Sequence, residues 1–304
     1  MSGGLGAWIP WPVLVTGSVV AVVAATERGV PAVAALVGLQ LAMVVVVTAL
    51  ERVAPEHVSW NRPRADLGTD ALHLVVSGLA VSGALRALIF GVTPSIGLWP
   101  ARWPFAAQLA LALVLADLGS YLTHVACHRV RWLWPFHAPH HSALRLYWLN
   151  STRMHPVDMA TTILSSLLPL AVLGAPPNVL AAFDAFAISH LMLQHSNVRL
   201  RMGPLSHVVA SAEFHRWHHS SVRAEGEANY ASFFSLWDHL FRTFRMDRDR
   251  EPPEHVGLYD GEVMPDGWVA HLLWPLRQLA APRTGQRAPG SDAENRGSDV
   301  NPER

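Results

Sequence analysis

The chain has 304 residues, of which 51% are apolar and 15% charged, with a mean hydropathy of +0.22. Its 46 charged side chains, 23 basic and 23 acidic, fall far short of the roughly 75 expected of an average soluble domain, which argues against an ordinary soluble protein. Zero net charge argues against a broad nucleic-acid-binding field and against disorder, and the single cysteine, Cys127, excludes an intrachain disulfide or a cysteine-rich zinc module.

In chain order, Ser2–Thr26 and Val30–Leu50 are uncharged over 25 and 21 residues. Each is long enough to cross about 30 Å of hydrocarbon as a helix. The first basic residue is Arg28, so no charged segment precedes the first stretch and a cleaved signal peptide is not expected. Ala71–Val92, which contains only His73 and Arg86, is a third candidate span, and Phe105–Tyr121, with Asp117 near its exit, is a fourth. Met159–Phe183 is also uncharged, but Pro169 and Pro176-Pro177 interrupt it. The prolines predict two short legs, Met159–Leu173 and Asn178–Gln194, joined by a Gly-Ala-Pro-Pro turn. Arg52, Arg62 and Arg64 lie between the second and third spans, against Arg102 alone between the third and fourth. The positive-inside rule then places Glu51–Asp70, and the segments after Tyr121, in the cytoplasm. From Arg199 the chain turns polar, with an apolar patch at His271–Leu279 suited to the membrane interface. The expected fold is an all-α integral membrane protein: about four transmembrane helices plus a proline-broken membrane hairpin, with a cytoplasmic helical histidine-cluster cap.

Twelve of the 17 histidines fall between His124 and His219, and they are patterned. His124 and His128 are four apart; His137, His140 and His141 form H-x-x-H-H; His215, His218 and His219 repeat it; His195 stands in His195-Ser196-Asn197. Residues three and four apart share a helix face, so each cluster can aim its imidazoles at one point. Asp117, Tyr121, His124 and His128 lie on one such face, and Asp117 is a candidate to accept the second ring N–H of a ligating histidine. Neutral imidazole suits iron, zinc, copper and nickel, and nine patterned histidines exceed the four ligands of a single zinc, which points to two metals.

These residues resemble the fatty acid hydroxylase/sterol desaturase superfamily of membrane di-metal oxygenases, from about Phe105 to Arg245. The carriers are Asp117-x-x-x-Tyr121-x-x-His124-x-x-x-His128, His137-x-x-His140-His141, His195-x-Asn197 and Glu213-Phe214-His215-Arg216-Trp217-His218-His219, followed by Asn229-Tyr230 and Trp237-Asp238-x-x-Phe241-x-Thr243-Phe244. The resemblance implies two iron ions, O2 as co-substrate, a lipid or sterol-like substrate from the bilayer, and a separate ferredoxin or cytochrome-type electron donor. It implies as metal ligands His124, His128, His137, His140, His141, His195, His215, His218 and His219, with His155 and His190 as further candidates. Asp117, Asn197 and Asp238 are candidates to support the ligands; His207 and His239 read as bystanders. Two positions depart from the family pattern, Ala231 and Arg242, both usually glycine there. The implied organisation is an N-terminal transmembrane region (1–104), a di-metal catalytic domain (105–250), a C-terminal interfacial segment (251–282) and a disordered tail (283–304). Hydroxylation or desaturation of an unactivated C–H bond is the expected activity. The competing expectation is a non-catalytic or zinc-holding relative that binds rather than reacts.

Overall fold

The structure, a computed structural model, describes residues 9–247 and 250–280; the expected tail and the start of the first apolar stretch lie outside the described residues. The fold is all-helical, and no extended strand occurs among the described residues. Helices α1 (Pro10–Glu27), α2 (Ala32–Val53), α3 (Leu67–Val92) and α4 (Phe105–Arg129) follow the four apolar stretches, and all are long and apolar enough to cross a membrane. Their outward faces stay apolar: Val33, Leu41 and Val45 of α2 are 74%, 64% and 69% exposed. Such faces suit lipid and would be costly in water. Within α3, Leu74–Val81 widens into a π-helical stretch.

The short helix α5 (Trp134–His141) precedes the hairpin of α6 (Pro156–Leu173) and α7 (Pro177–His195). Gly174 ends α6 in the left-handed conformation at φ 89°, and its N–H and that of Ala175 bond back to Leu170 O. Pro177 opens α7 where no N–H is needed, so the expected turn forms from Gly-Ala-Pro-Pro. Pro169, expected to interrupt the first leg, does not break it. The helix runs through it, and α6 is a fifth helix long and apolar enough to span, whereas a short leg was expected.

Pro169 has no N–H to give to Ser165 O, and that carbonyl lies against Gly119 of α4. A β-carbon at Gly119 would sit 2.0 Å from Ser165 O and 2.8 Å from its carbonyl carbon. Close approach of α4 and α6 therefore depends on the absence of a side chain at Gly119. Gly119→Ala is expected to force the helices apart and cost about 1–3 kcal/mol, as overpacking does. Thermal unfolding in detergent measures this; an unchanged midpoint would refute it.

α7 packs on α1 through Val22, Ala181 and Ala185, and on α3 through an Arg86–Asp184 ion pair. Beyond the spans, α8 (Ala212–His218), α9 (Arg223–Gly226), α10 (Leu236–Leu240) and α11 (Trp268–Ala280) gather around the ends of α4, α5 and α7.

Candidate metal centre

All nine patterned histidines converge, in two groups. His124, His128, His137, His141 and His218 form one; His140, His195, His215 and His219 form the other. In each group the candidate ligand atoms lie within 4.8 Å of one another, and every ring is buried except His124, which is partly so. The two H-x-x-H-H motifs are shared out in the same way. The residues four apart stay together (His137 with His141, His215 with His219), while the residue between them (His140, His218) crosses to the other group. On a helix, residue i+4 points about 40° from residue i, but i+3 and i+4 diverge by about 100°. One short helix can therefore feed two adjoining centres. The groups share a wall, with the rings of His141 and His219 stacked at 4.5 Å.

The Nε2 atoms face inward. His128 and His137 each approach the Nε2 of His141 at 3.2 Å, and His215 approaches those of His195 and His219 at 3.0 Å. The Nε2 atoms of His124 and His218 are buried with no hydrogen-bond partner. Neutral imidazoles gain little from clustering their acceptor nitrogens, but metal ligation explains the spacing. Nitrogens about 2.1 Å from one ion are separated by about 3.0 Å at right angles and about 3.4 Å in a tetrahedron. Burial, reinforced by neighbouring histidines, pushes His140, His141, His215, His218 and His219 well below the usual imidazole range. They are neutral at pH 7, as ligands must be. The residues present fit a pair of metal ions.

The other ring nitrogens of four histidines are anchored. Nδ1–H of His124 donates to Tyr230 O and that of His218 to Ala228 O, both at 2.7 Å; His195 donates to Leu191 O at 3.2 Å. His137 donates to the carboxylate of Asp158 at 2.9 Å. These bonds fix the tautomer that frees Nε2. Asp158 is missing from the sequence-based set. It stands in the first turn of α6, where an acidic residue already has a helix-dipole explanation, so nothing in the sequence marked it. Asp158→Asn is expected to lower metal affinity about 10–100-fold with the fold retained. Titration of the protein with iron against a competing chelator measures this; unchanged affinity would remove Asp158 from the site.

The remaining candidates stand apart from the two groups. His155 caps α6: its Nδ1 accepts from Val157 N at 3.1 Å and its Nε2 donates to Leu272 O at 3.2 Å, so both nitrogens are occupied. His190 accepts from Trp11 Nε1 at 3.0 Å and stacks on Phe186, outside both groups. Asp117 touches no histidine; it accepts from Phe233 N and Phe234 N at 2.8 and 3.0 Å. Asp238 accepts from Tyr230 N and Ala231 N, both at 2.9 Å, and so holds the backbone that receives His124. Asn197 receives His57 N and donates to His57 O and Asn61, tying the segment after α7 to the one after α2. His207 and His239 stack with Phe244 outside both groups. Ala231 needs no left-handed backbone, but Arg242 sits at φ 60°, where glycine would be unstrained.

Residues 109–243 match the fatty acid hydroxylase family model. Over 247 residues the chain is 33% identical to an ornithine lipid hydroxylase of Rhizobium tropici, covering 78% of this chain and 74% of that protein. The chain belongs to the fatty acid hydroxylase family. Other relatives are the human alkylglycerol monooxygenase, 30% identical over 50% of this chain and 33% of that protein, and the zebrafish methylsterol monooxygenase 1, 29% identical over 47% and 48%. The chain thus spans about three quarters of the bacterial relative but a third of the human one. No solved structure matches it. Both histidine groups lie within the residues that match the family model, and this member of the family is an oxygenase-type enzyme with helices long and apolar enough to span a membrane.

Proposed function

We propose that this fatty acid hydroxylase family member is an O2-dependent di-iron enzyme that hydroxylates an unactivated C–H bond of a membrane lipid, with its metal site on the cytoplasmic side. The observation that carries the reading is the pair of adjoining groups of clustered histidines, all buried but the half-buried His124, beside helices with apolar outward faces. The chemistry supplied by two bound iron ions is reduction of O2 to an oxidant able to take hydrogen from an aliphatic carbon. The overall reaction is C–H + O2 + 2 e⁻ + 2 H⁺ → C–OH + H2O. The electrons come from a separate ferredoxin or cytochrome-type carrier.

The chain's own residues supply the rest. His124, His128, His137, His141 and His218 would hold one ion, and His140, His195, His215 and His219 the other. Burial excludes water from the reacting space and restrains side reactions. Asp158 and the carbonyls of Ala228 and Tyr230 orient the rings before any substrate arrives. Similarity to the ornithine lipid hydroxylase over most of both chains supports a polar membrane lipid as the substrate class. The arginine asymmetry around the third span supports the cytoplasmic placement.

The test is mass spectrometry of lipid extracts from cells with and without the protein, with His218→Ala as the inactive control. A new lipid heavier by one oxygen is the expected product. Loss of two hydrogens would make the enzyme a desaturase. Identical extracts from a protein carrying its metal would overturn the reading.

A further inference from the structure

We propose that Arg129, Arg242 and Arg245 form the docking surface for an acidic, one-electron carrier protein, and that electrons pass from it to the first histidine group through Ala228. This rests on the di-iron reading, which requires two electrons per turnover. The three exposed arginines line a shallow cavity of about 370 Å³ together with Glu227 and Ala228. In a chain with no net charge this is a local concentration of positive charge. Arg129 ends α4 directly after the ligand candidate His128.

The floor of the cavity touches the metal centre. Ala228 O receives Nδ1–H of His218 at 2.7 Å, so one hydrogen bond separates the cavity wall from a ring whose buried Nε2 belongs to the first histidine group. Beside it, the Glu227 carboxylate accepts from Tyr230 Oη at 3.0 Å and lies 3.9 Å from His128 Nδ1. Electrons delivered at this surface thus face a short bonded path inward, and the balance is simple: the carrier is oxidised by one electron per encounter and the centre reduced by one.

Arg242 adds an independent observation. Its backbone is held at φ 60°, a conformation glycine would adopt freely, yet the position carries a long, charged, exposed side chain. A strained arginine at the rim of a cavity is explained by a partner that needs its charge. Leu240 and Phe241, just before it, are 63% and 50% exposed, and such an apolar rim beside arginines makes an anionic lipid headgroup the competing occupant. The arginines are exposed, not enclosed, and this suits a transient, electrostatically steered protein encounter over a headgroup cage.

The experiment uses the full chain, iron-loaded, in phosphatidylcholine nanodiscs. An acidic plant-type ferredoxin is the carrier and dithionite the chemical reductant. The Arg242→Glu/Arg245→Glu double variant is expected to raise the KM for ferredoxin at least about tenfold and to flatten its salt dependence. Dithionite-driven turnover and the KM for lipid should stay as in the unmutated protein, and Arg28→Glu, on the loop between α1 and α2, should leave the KM for ferredoxin unchanged. An unchanged KM for ferredoxin in the double variant, or an equal rise in Arg28→Glu, overturns the proposal. So does a loss confined to binding of phosphatidylserine vesicles, which would assign the cavity to lipid. Ferredoxin binding by calorimetry keeps the two readings separate. If the unmutated protein binds ferredoxin and the double variant does not, but neither reductant supports turnover, the oxygenase reading fails and the docking surface stands.

Discussion

Replacing His218 with alanine is expected to lower turnover by more than about a hundredfold, beyond the 10–100-fold that loss of a ligand's supporting partner costs. His218 leaves α8 toward the group built on α4 and α5, whereas His215 of the same helix and His219, which caps its end, fall in the other group. Loss of His218 therefore removes an inward nitrogen from one ion position only. Under the di-iron proposal, metal analysis should show the iron content falling from two per chain toward one. His215→Ala should do the same at the other position. The two variants should have similar metal content but deplete different ions, and combining them should cost little further activity, because a pair that works as a unit is already disabled by one loss. Full metal content and near-normal turnover in His218→Ala would show that the five-histidine group is not a metal site.

Arg216→Met is expected to destabilise the protein by about 3–5 kcal/mol, the usual cost of removing one member of a buried ion pair. Arg216 lies between His215 and Trp217, is 0% exposed, and donates to Ser196 O at 3.0 Å and Val198 O at 2.9 Å. It thus ties the helix bearing His215, His218 and His219 to the segment just after His195. Its Nη1 lies 3.6 Å from Glu56, which Arg201 also binds at 2.6 and 2.8 Å. Burial tends to raise the Glu56 carboxyl, but the Arg201 hydrogen bonds and the Arg216 charge outweigh it and hold it below its ordinary range. Burial draws Arg216 down to about 10, still charged at neutral pH. The substitution leaves Ser196 O without its donor, while Val198 O keeps the Leu200 N–H at 2.8 Å, and it weakens the hold on a buried carboxylate. The melting midpoint should fall on the order of 10 °C. Glu56→Leu added to Arg216→Met should cost less than the sum of the two single changes, since no unpaired carboxylate then remains and Arg201 keeps its 2.6 Å contact with Glu251. Strict additivity would show that Arg216 and Glu56 do not act as a pair.

How far the site was legible in the sequence follows from what kind of interaction holds each residue. Eight of the nine histidines announce themselves because residues sharing a helix face recur at three- and four-residue spacing, whereas His195 is marked only by the family resemblance. His155 and His190 have the same chemistry but sit elsewhere in the fold, one capping a helix and the other bonded to Trp11, a residue 179 positions away. Asp117 shares a helical face with His124 and His128, yet its carboxylate turns to the backbone of Phe233 and Phe234, which no spacing rule foretells. Asp158 was hidden because an acidic residue in the first turn of α6 already has an ordinary explanation in its local context.

The sequence by itself determined the apolar spans, the turn of the hairpin and the eight histidines at helical spacing. These depend on run length, proline chemistry and helical period, all local properties. Only the tertiary structure decided that α6 runs through Pro169, because Ser165 O is freed beside a glycine on another helix. Only it divided each H-x-x-H-H motif between two histidine groups, and only it supplied the carboxylate and carbonyls that orient the rings. Those outcomes depend on which backbone groups of distant segments meet once the helices pack, and chain spacing carries no record of that.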